Sequence, residues 1–308
     1  MKHLTQNLYI FTKDARHFQI LAQSSLLALL VLWSDFAPNL EIIALTIVTA
    51  LITQAAFMLF IQYKTSLRAT IGSAAIQSPP SRAQVDCRVA NAPRNDGYSI
   101  FKMDLRSPLI SALSLCLLFR AGEIWFFPLA AIIAISSKFL IRYEGKHLFN
   151  PSNIAIVALL LLFPQYVWVS PGQWGADLLL VFALICLAFL ALFRVHKRDV
   201  VLFFISSYAA LVLIRALWLG DPLDIPAHQL QNGALLVFTF FMMSDPKTTP
   251  DHIFGRLIFA LSIAAIGFIM HYQFQVREGL FYALALVCMI TPLIDRYLPA
   301  QKFQWRTT

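Results

Sequence analysis

The stretch GKHLFNPSN, residues 145–153, lies between two runs of sequence that are each apolar enough to enter a lipid bilayer. It holds a lysine, a histidine, two asparagines and a proline. Unpaired polar groups are costly inside a bilayer, so these residues must cap a helix, meet a polar partner or bind a ligand. The fold and the function of the chain therefore depend on which of these roles the stretch has.

The composition of the chain indicates a membrane protein. Hydrophobic residues make up 59% of the 308 residues, charged residues make up 13%, and the mean hydropathy is +0.69. A spanning helix needs about 20 mostly apolar residues, because only a helix or a closed barrel satisfies its own backbone hydrogen bonds in lipid. We therefore predict an all-α polytopic membrane protein.

Ten apolar runs are candidate transmembrane helices. Two of them, the third and the eighth, are shorter than a full span and carry polar or turn-forming residues at one end. No small-residue cleavage site follows the first run, so we expect it to remain in the mature chain. The runs are Phe18–Ser34, Glu41–Gln62, Leu105–Phe119, Ile124–Ile141, Pro151–Val169, Ala176–Phe193, Val200–Leu219, Leu230–Met243, Phe254–Tyr272 and Leu280–Ile294.

The basic residues predict the orientation of the chain. With the amino terminus in the cytoplasm, 21 of the 24 Lys and Arg residues fall in cytoplasmic segments, and only Arg120, Arg215 and Arg277 fall outside. Such a bias is typical of inner membrane proteins, so we expect both termini to be cytoplasmic. The net charge of +8 is spread from loop to loop, and we predict a lipid bilayer and no nucleic acid as its partner. Lys138 and Arg142 are expected to extend to the membrane surface.

The longest segment that cannot span the membrane runs from residue 64 to residue 104. It contains SPPS at 78–81 and Asn95-Asp96-Gly97, which are typical of turns. We interpret it as a cytoplasmic connector between residues 1–63, which hold the amino-terminal tail and the first two spans, and a transmembrane core at 105–296. Residues 297–308 form a cytoplasmic tail. Whether the connector also contacts lipid headgroups or binds a partner stays open.

Several kinds of chemistry are excluded or disfavoured by the residues present. The four cysteines occur singly, without a C-x-x-C pair, which argues against a thiolate zinc or iron–sulfur site. The seven histidines are equally scattered. The chain also lacks a Walker lysine motif and a G-x-G-x-x-G motif.

The remaining polar residues at membrane depth form three clusters. They are residues 104–111, DLRSPLIS; residues 145–153; and residues 243–251, MSDPKTTPD. All three lie on the predicted cytoplasmic side, where we expect them to converge.

The second cluster has the pattern of a capped helix start. Pro151 suits the first helical position, and Asn150 is placed to accept the free amides of the first turn. Asn153 is then expected to face into the bundle, and Lys146 to add a positive charge at a helix start that favours anions. A purely structural cap explains Asn150 and Pro151 without any ligand, and this alternative stays open.

The third cluster can be interpreted in two ways. Asp245 is expected to begin an Asx-type turn, and Thr249 or Asp251 to cap the next helix. Alternatively, Asp245, Lys247, Thr248 and Thr249 hold the polar edge of a ring system, because irregular backbone at this depth is tolerated where it lines a cavity. Ser107 in the first cluster is a further candidate for such a site.

These residues carry a resemblance to a known family. The motifs are LRSPLIS at 105–111, GKHLFNPSN at 145–153, QNGALL at 231–236, SDP at 244–246, GRLIF at 255–259 and PLID at 292–295. In this order they resemble the NqrB/RnfD family, which contains the RnfD protein of the Rnf electron-transport complex and the NqrB protein of the sodium-pumping NADH:quinone oxidoreductase. Compact homologues, some encoded beside enediyne biosynthesis genes, resemble the chain still more closely.

The resemblance implies a flavin-dependent electron-transfer subunit of an ion-coupled redox complex in a bacterial inner membrane, and not a complete enzyme. Family members join FMN to a threonine in an outer loop after the fifth helix. Residues 163–175, which correspond to this loop, contain no threonine. We therefore expect no covalent FMN. The expected cofactor is a noncovalent riboflavin or FMN, or a quinone, and the expected partners are redox subunits.

The resemblance also implies two inverted five-helix halves with interrupted helices. The two short runs are each third in their half, as expected where broken helices meet at a binding site. Inverted repeats of this kind also build transporters, so a transporter or channel for a small polar solute is the alternative function.

Overall fold

The computed structural model describes residues 15–33, 38–74, 104–170 and 198–301. The predicted sixth run, Ala176–Phe193, and most of the predicted connector lie outside the described residues. The helices are α1 Ala15–Trp33, α2 Leu40–Ala74, α3 Arg106–Leu118, α4 Phe126–Leu140, α5 Pro151–Leu162, α6 Arg198–Leu219, α7 Asp224–Leu230, α8 Gly233–Val237, α9 Ile253–Tyr272 and α10 Gly279–Tyr297. A π-helical segment, Phe238–Met242, continues α8, and the strands are β1 Phe119–Ala121, β2 Arg142–Tyr143, β3 Lys146–His147 and β4 Val167–Val169.

The chain is a multi-pass membrane protein. Four of the described helices contain stretches long and apolar enough to cross a bilayer: Leu40–Leu67, Arg198–Leu219, Ile253–Tyr272 and Gly279–Tyr297. The apolar segments Arg16–Leu32, Arg106–Leu118, Phe126–Leu140, Pro151–Leu162 and Gly233–Met242 are shorter.

The helices pack in two groups that share one hydrophobic core. In the first, α2 contacts α3 and α4, α1 contacts α3, and α4 contacts α5. In the second, α9 packs against α6 and α10, and α10 reaches back to α5. Fully buried phenylalanines, among them Phe119, Phe204 and Phe238, belong to this core.

Three predicted runs differ clearly from the structure. The second was expected to end at Gln62, but α2 continues to Ala74, into the predicted connector. The fifth run was expected to continue to Val169, but α5 ends at Leu162. Pro164 explains the difference, because a proline disfavours the helical conformation of the residue before it, and Phe163 has φ −135° and ψ 53°. The eighth run was expected to begin at Leu230, but α7 ends there and α8 begins at Gly233.

The four short strands form two antiparallel pairs that the all-α prediction did not include. β2 and β3 form a hairpin between α4 and α5, with Glu144 and Gly145 at positive φ in its turn. β1 pairs with β4 at the other end of the bundle. We call the end that holds the hairpin and the loop 243–251 the basic end, and the end that holds β1 and β4 the opposite end.

Candidate functional site

The three polar clusters converge at the basic end, as predicted. The Ser152 hydroxyl, at the start of α5, donates to the Ser111 carbonyl of the first cluster over 3.1 Å. The Asn150 amide donates to the Met242 carbonyl, next to the third cluster, over 3.4 Å. His147 lies 3.2 Å from the Asp245 carboxylate. The second cluster therefore joins the other two.

The start of α5 confirms the predicted cap. Asn150 has an extended backbone, and its side-chain oxygen accepts from the Asn153 amide over 3.2 Å. Pro151 occupies the first helical position, where its missing N–H costs no hydrogen bond. Both residues are buried.

Asn153 faces into the bundle, as predicted, and one of its polar atoms lacks a partner. Its side-chain nitrogen donates to the Phe281 carbonyl at the start of α10 over 3.1 Å. Its side-chain oxygen has no hydrogen-bond partner among the described residues, although Asn153 is only 1% exposed. An unsatisfied buried oxygen costs about 1–3 kcal/mol, which a hydrogen-bond donor that reached it would offset.

The loop 243–251 begins where the π-helical segment ends. The Asp245 carboxylate accepts from the Lys247 backbone amide over 3.1 Å, which confirms the predicted Asx-type turn. The hydroxyls of Thr248 and Thr249 each donate to the Asp245 carbonyl over 3.2 Å. The capping prediction was wrong, because His252 caps α9 through its ring nitrogen, which accepts from the Phe254 amide over 3.2 Å.

Lys146 does not add an isolated charge at the start of α5, and this prediction is corrected. Its ammonium pairs with the carboxylate of Asp251 and lies 3.2 Å from that of Asp295. The Asp295 carboxylate also accepts from the Asp251 amide over 2.9 Å. No local pattern in the sequence indicated these contacts, since the carboxylates lie 105 and 149 residues away along the chain.

Ser107 is engaged by a lysine that was expected to extend to the membrane surface. Lys138 is instead buried, and its ammonium lies 3.1 Å from both the carbonyl and the hydroxyl of Ser107. The lysine thereby joins α4 to the first turn of α3. Arg142, by contrast, is exposed and donates to the Gly145 carbonyl in the hairpin turn.

Charges around Asp245 and Lys247 shift their pKa values. Burial alone would raise the pKa of Asp245, but His147 and the Lys247 amide outweigh it and hold the pKa below its ordinary value. Burial lowers the pKa of Lys247, opposed by Asp245 and reinforced by the positive charges of Arg142 and Arg16. The loop therefore favours an ionised Asp245 and disfavours the positive charge on Lys247.

A cavity of about 500 Å³ opens at the basic end. Among the predicted site residues, Lys146, Lys247 and Thr248 line it. Ser107, Asn150, Pro151, Asn153, Asp245 and Thr249 lie outside its lining. The cavity walls also include Thr291, Asp295 and Arg296 near the end of α10, which sequence reasoning did not select. The break that Pro292 makes in an apolar helix was the signal that could have drawn attention to them.

A second cavity, of about 710 Å³, lies at the opposite end. Its lining combines aromatic residues, among them Tyr208, Phe238 and Tyr272, with the polar side chains of Gln229 and Asn232. The Tyr272 hydroxyl donates to the Gln229 side-chain oxygen, and the Arg215 guanidinium lies 4.3 Å from the centre of the Tyr272 ring. No predicted site residue lines this cavity.

Comparison with known proteins assigns the second half of the chain to a family. The model of the NQR2, RnfD, RnfE family matches residues 170–304. This part of the chain is similar to that family. The match includes the loop 243–251 and helices α6 to α10, and it begins beyond the second polar cluster. The family resemblance stated from the sequence is thereby confirmed.

Curated relatives agree with this assignment. The chain is 35% identical over 81 residues to one subunit of a proton-translocating ferredoxin:NAD(+) oxidoreductase complex from Clostridium ljungdahlii, which covers 26% of this chain and 24% of that protein. It is 31% identical over 140 residues to one subunit of an ion-translocating oxidoreductase complex from Stutzerimonas stutzeri, which covers 44% of this chain and 38% of that protein. The chain thus spans less than two fifths of the length of these relatives.

Proposed function

We propose that this chain is a membrane-embedded electron-transfer subunit that binds riboflavin or FMN noncovalently at the basic end, with a quinone as the other candidate ligand. The relatives named above are subunits of ion-translocating oxidoreductase complexes, which supports a role within such a complex, beside redox partner subunits. The observation that carries the ligand proposal is a cavity of about 500 Å³ at the basic end whose lining includes Lys146, Lys247 and Thr248 of the predicted site.

The residues at the basic end fit the polar edge of an isoalloxazine ring. That edge offers carbonyl oxygens and one N–H group, so it needs both donors and an acceptor. Lys247 lines the cavity and can donate to the carbonyl oxygens, and the Thr248 hydroxyl oxygen, which also lines it, can accept from the N–H group. Cofactor sites commonly have volumes of about 300–1,000 Å³, so the cavity is large enough.

A bound flavin would supply electron transfer in one-electron or two-electron steps, and the protein would tune it. The ammonium of Lys247 would favour negative charge on the adjacent ring atoms. Asp245 holds the loop backbone through the Lys247 amide and the two threonine hydroxyls, so it would position Lys247 and Thr248.

The finer features of the architecture are part of the same proposal. They are ten spans in two inverted halves, an inner membrane location with both termini cytoplasmic, and no covalent FMN on residues 163–175. Support for the inverted halves comes from the third and eighth runs, which the structure also describes as short apolar helices, Arg106–Leu118 and Gly233–Met242. Half-helices of this kind meet at the binding sites of inverted-repeat membrane proteins.

The test is to purify the protein in detergent, record its absorbance spectrum, and identify extracted chromophores by mass spectrometry. We expect flavin absorbance, or uptake of riboflavin or FMN on reconstitution. Thr248→Val should weaken flavin binding about tenfold, because it removes a hydrogen-bond acceptor from the cavity wall, whereas Thr53→Val, on the α2 helix, should not. Absence of flavin and of quinone from the wild-type protein, together with no uptake of either, would contradict the proposal.

The alternative function, transport of a small polar solute, is favoured by one observation. Cavities open at both ends of the bundle, and the start of α5 contacts the start of α10 between them through Asn153 and Phe281. Uptake of a polar solute into proteoliposomes, without bound flavin or quinone, would establish this function in place of electron transfer.

A further inference from the structure

The cations near the basic end differ in whether a carboxylate neutralises them. Lys146 pairs with Asp251 and Asp295. The guanidinium of Arg256 lies 2.6 Å from the carboxylate of Asp199. Pairs of this kind remove most of the attraction that a cation could offer to a ligand.

Lys247 and Arg296 differ from Lys146 and Arg256 because neither has such an ion pair among the described residues. Both line the cavity, Lys247 from the loop 243–251 and Arg296 from the last turn of α10. Neither makes an ion pair within 4 Å in the part of the chain that the structure describes. Both cations can therefore offer positive charge to an anionic ligand that enters the cavity.

The carboxylates in the cavity wall are engaged or lie at its edge. Asp251 and Asp295 share the ammonium of Lys146, and a backbone amide also donates to Asp295. Glu144 is exposed at the turn of the β2–β3 hairpin. The wall around Lys247 and Arg296 is therefore open to a negative group.

We propose that Lys247 and Arg296 bind a phosphate group, so that the basic-end cavity prefers FMN to riboflavin. The inference rests on the proposed function and adds a specificity to it. A guanidinium can bind two phosphate oxygens at once, and an ammonium adds a mobile point charge. The burial and neighbouring positive charges that lower the pKa of Lys247 are the conditions under which a bound anion is most favourable.

The test compares FMN, riboflavin and inorganic phosphate on the detergent-purified full chain, by flavin fluorescence quenching and by calorimetry. We expect FMN to bind at least about tenfold more tightly than riboflavin, and added salt to weaken FMN alone. Arg296→Gln should remove most of this preference and leave riboflavin affinity unchanged, whereas Lys247→Gln should remove most of it and also weaken riboflavin, because Lys247 faces the ring in the proposed site. Arg296→Lys should keep part of it. Lys64→Gln, an exposed lysine on α2, is the matched control and should have no effect.

The outcomes separate this inference from the proposed function. Equal affinities for FMN and riboflavin would overturn the phosphate site and leave flavin binding standing. If neither flavin binds but inorganic phosphate does, and both substitutions abolish that binding, the phosphate site stands and the flavin proposal fails. In lipid nanodiscs, displacement of FMN but not of riboflavin by anionic lipid would show that Lys247 and Arg296 hold a lipid headgroup, and would overturn the preference for FMN.

Discussion

The helices that begin at Asn150 and at Asn232 share one cap and then diverge. Asn150 has φ −62° and ψ 124°, and Asn232 has φ −61° and ψ 123°. In each case the side-chain oxygen accepts first-turn amides. After Pro151, α5 is regular for 12 residues, whereas after Gly233 α8 becomes π-helical at Phe238. The cap fixes how each helix starts, and the residues that follow fix how it continues.

The surroundings of the two capping residues, Asn150 and Asn232, also differ. Asn150 is buried and follows a hairpin whose Lys146 pairs with two carboxylates. Asn232 is half-buried beside the opposite-end cavity, where the nearby ion pair of Arg215 and Asp221 is about one third exposed on each side. The comparison indicates a rigid helix start at the basic end and a more adaptable one at the opposite end. π-Helical turns commonly occur at functional sites.

The largest expected effect is that of removing the buried cation. Lys146→Met leaves the carboxylates of Asp251 and Asp295 without a counter-charge, and should destabilise the protein by about 3 kcal/mol. Arg215→Met is the matched change at the opposite end and should cost less than about 1 kcal/mol, because its ion pair is exposed. Thermal unfolding in detergent measures both, and similar losses would remove the distinction between the two ends.

Next in size is the difference between the caps. Asn150→Ala removes a cap and the hydrogen bond to the buried Met242 carbonyl, so a loss of about 2 kcal/mol is expected. Asn232→Ala should cost about 1 kcal/mol, because water can replace the cap at a half-buried position. Unfolding midpoints of the two variants provide the measurement. A larger loss at Asn232 would show that the opposite-end helix is the more tightly held of the two.

The smallest expected effect is a pH dependence at Asp245, which lies after the π segment and contacts the hairpin through His147. The pKa of Asp245 is lowered in the folded state, so its carboxylate stabilises the protein above the ordinary value of about 4, and this stability is lost as pH falls through the lowered pKa. Asp245→Asn should cost about 1 kcal/mol at pH 7 and progressively less below pH 4. Asp221→Asn, at the exposed pair, is the control. A gap between wild type and Asp245→Asn that stays constant down to pH 2 would contradict the prediction.

Sequence patterns were sufficient for the local features. Apolar runs located nine segments that the structure describes as helical, with the start of α5 at Pro151 as predicted. The Asn150 cap and the Asp245 turn were also predictable, because each depends on residues only two or three positions apart. The end of α5 was missed although its signal, Pro164, is equally local.

Long-range contacts were not predictable. Lys146 and Lys138 were both treated as free charges, yet one meets two carboxylates and the other meets Ser107. Arg296 and Thr291 reach the cavity only because α10 ends beside the hairpin. A single sequence carries no signal for which distant side chains meet.

By itself, the sequence determined that this is a helical membrane protein, that α5 begins at Pro151 and that Asn150 caps it, since hydropathy and capping act over one or two turns. Tertiary structure alone decided which charges are neutralised and which face a cavity. Ion pairing depends on the distance between groups far apart in the chain, and that distance is set by how the helices pack.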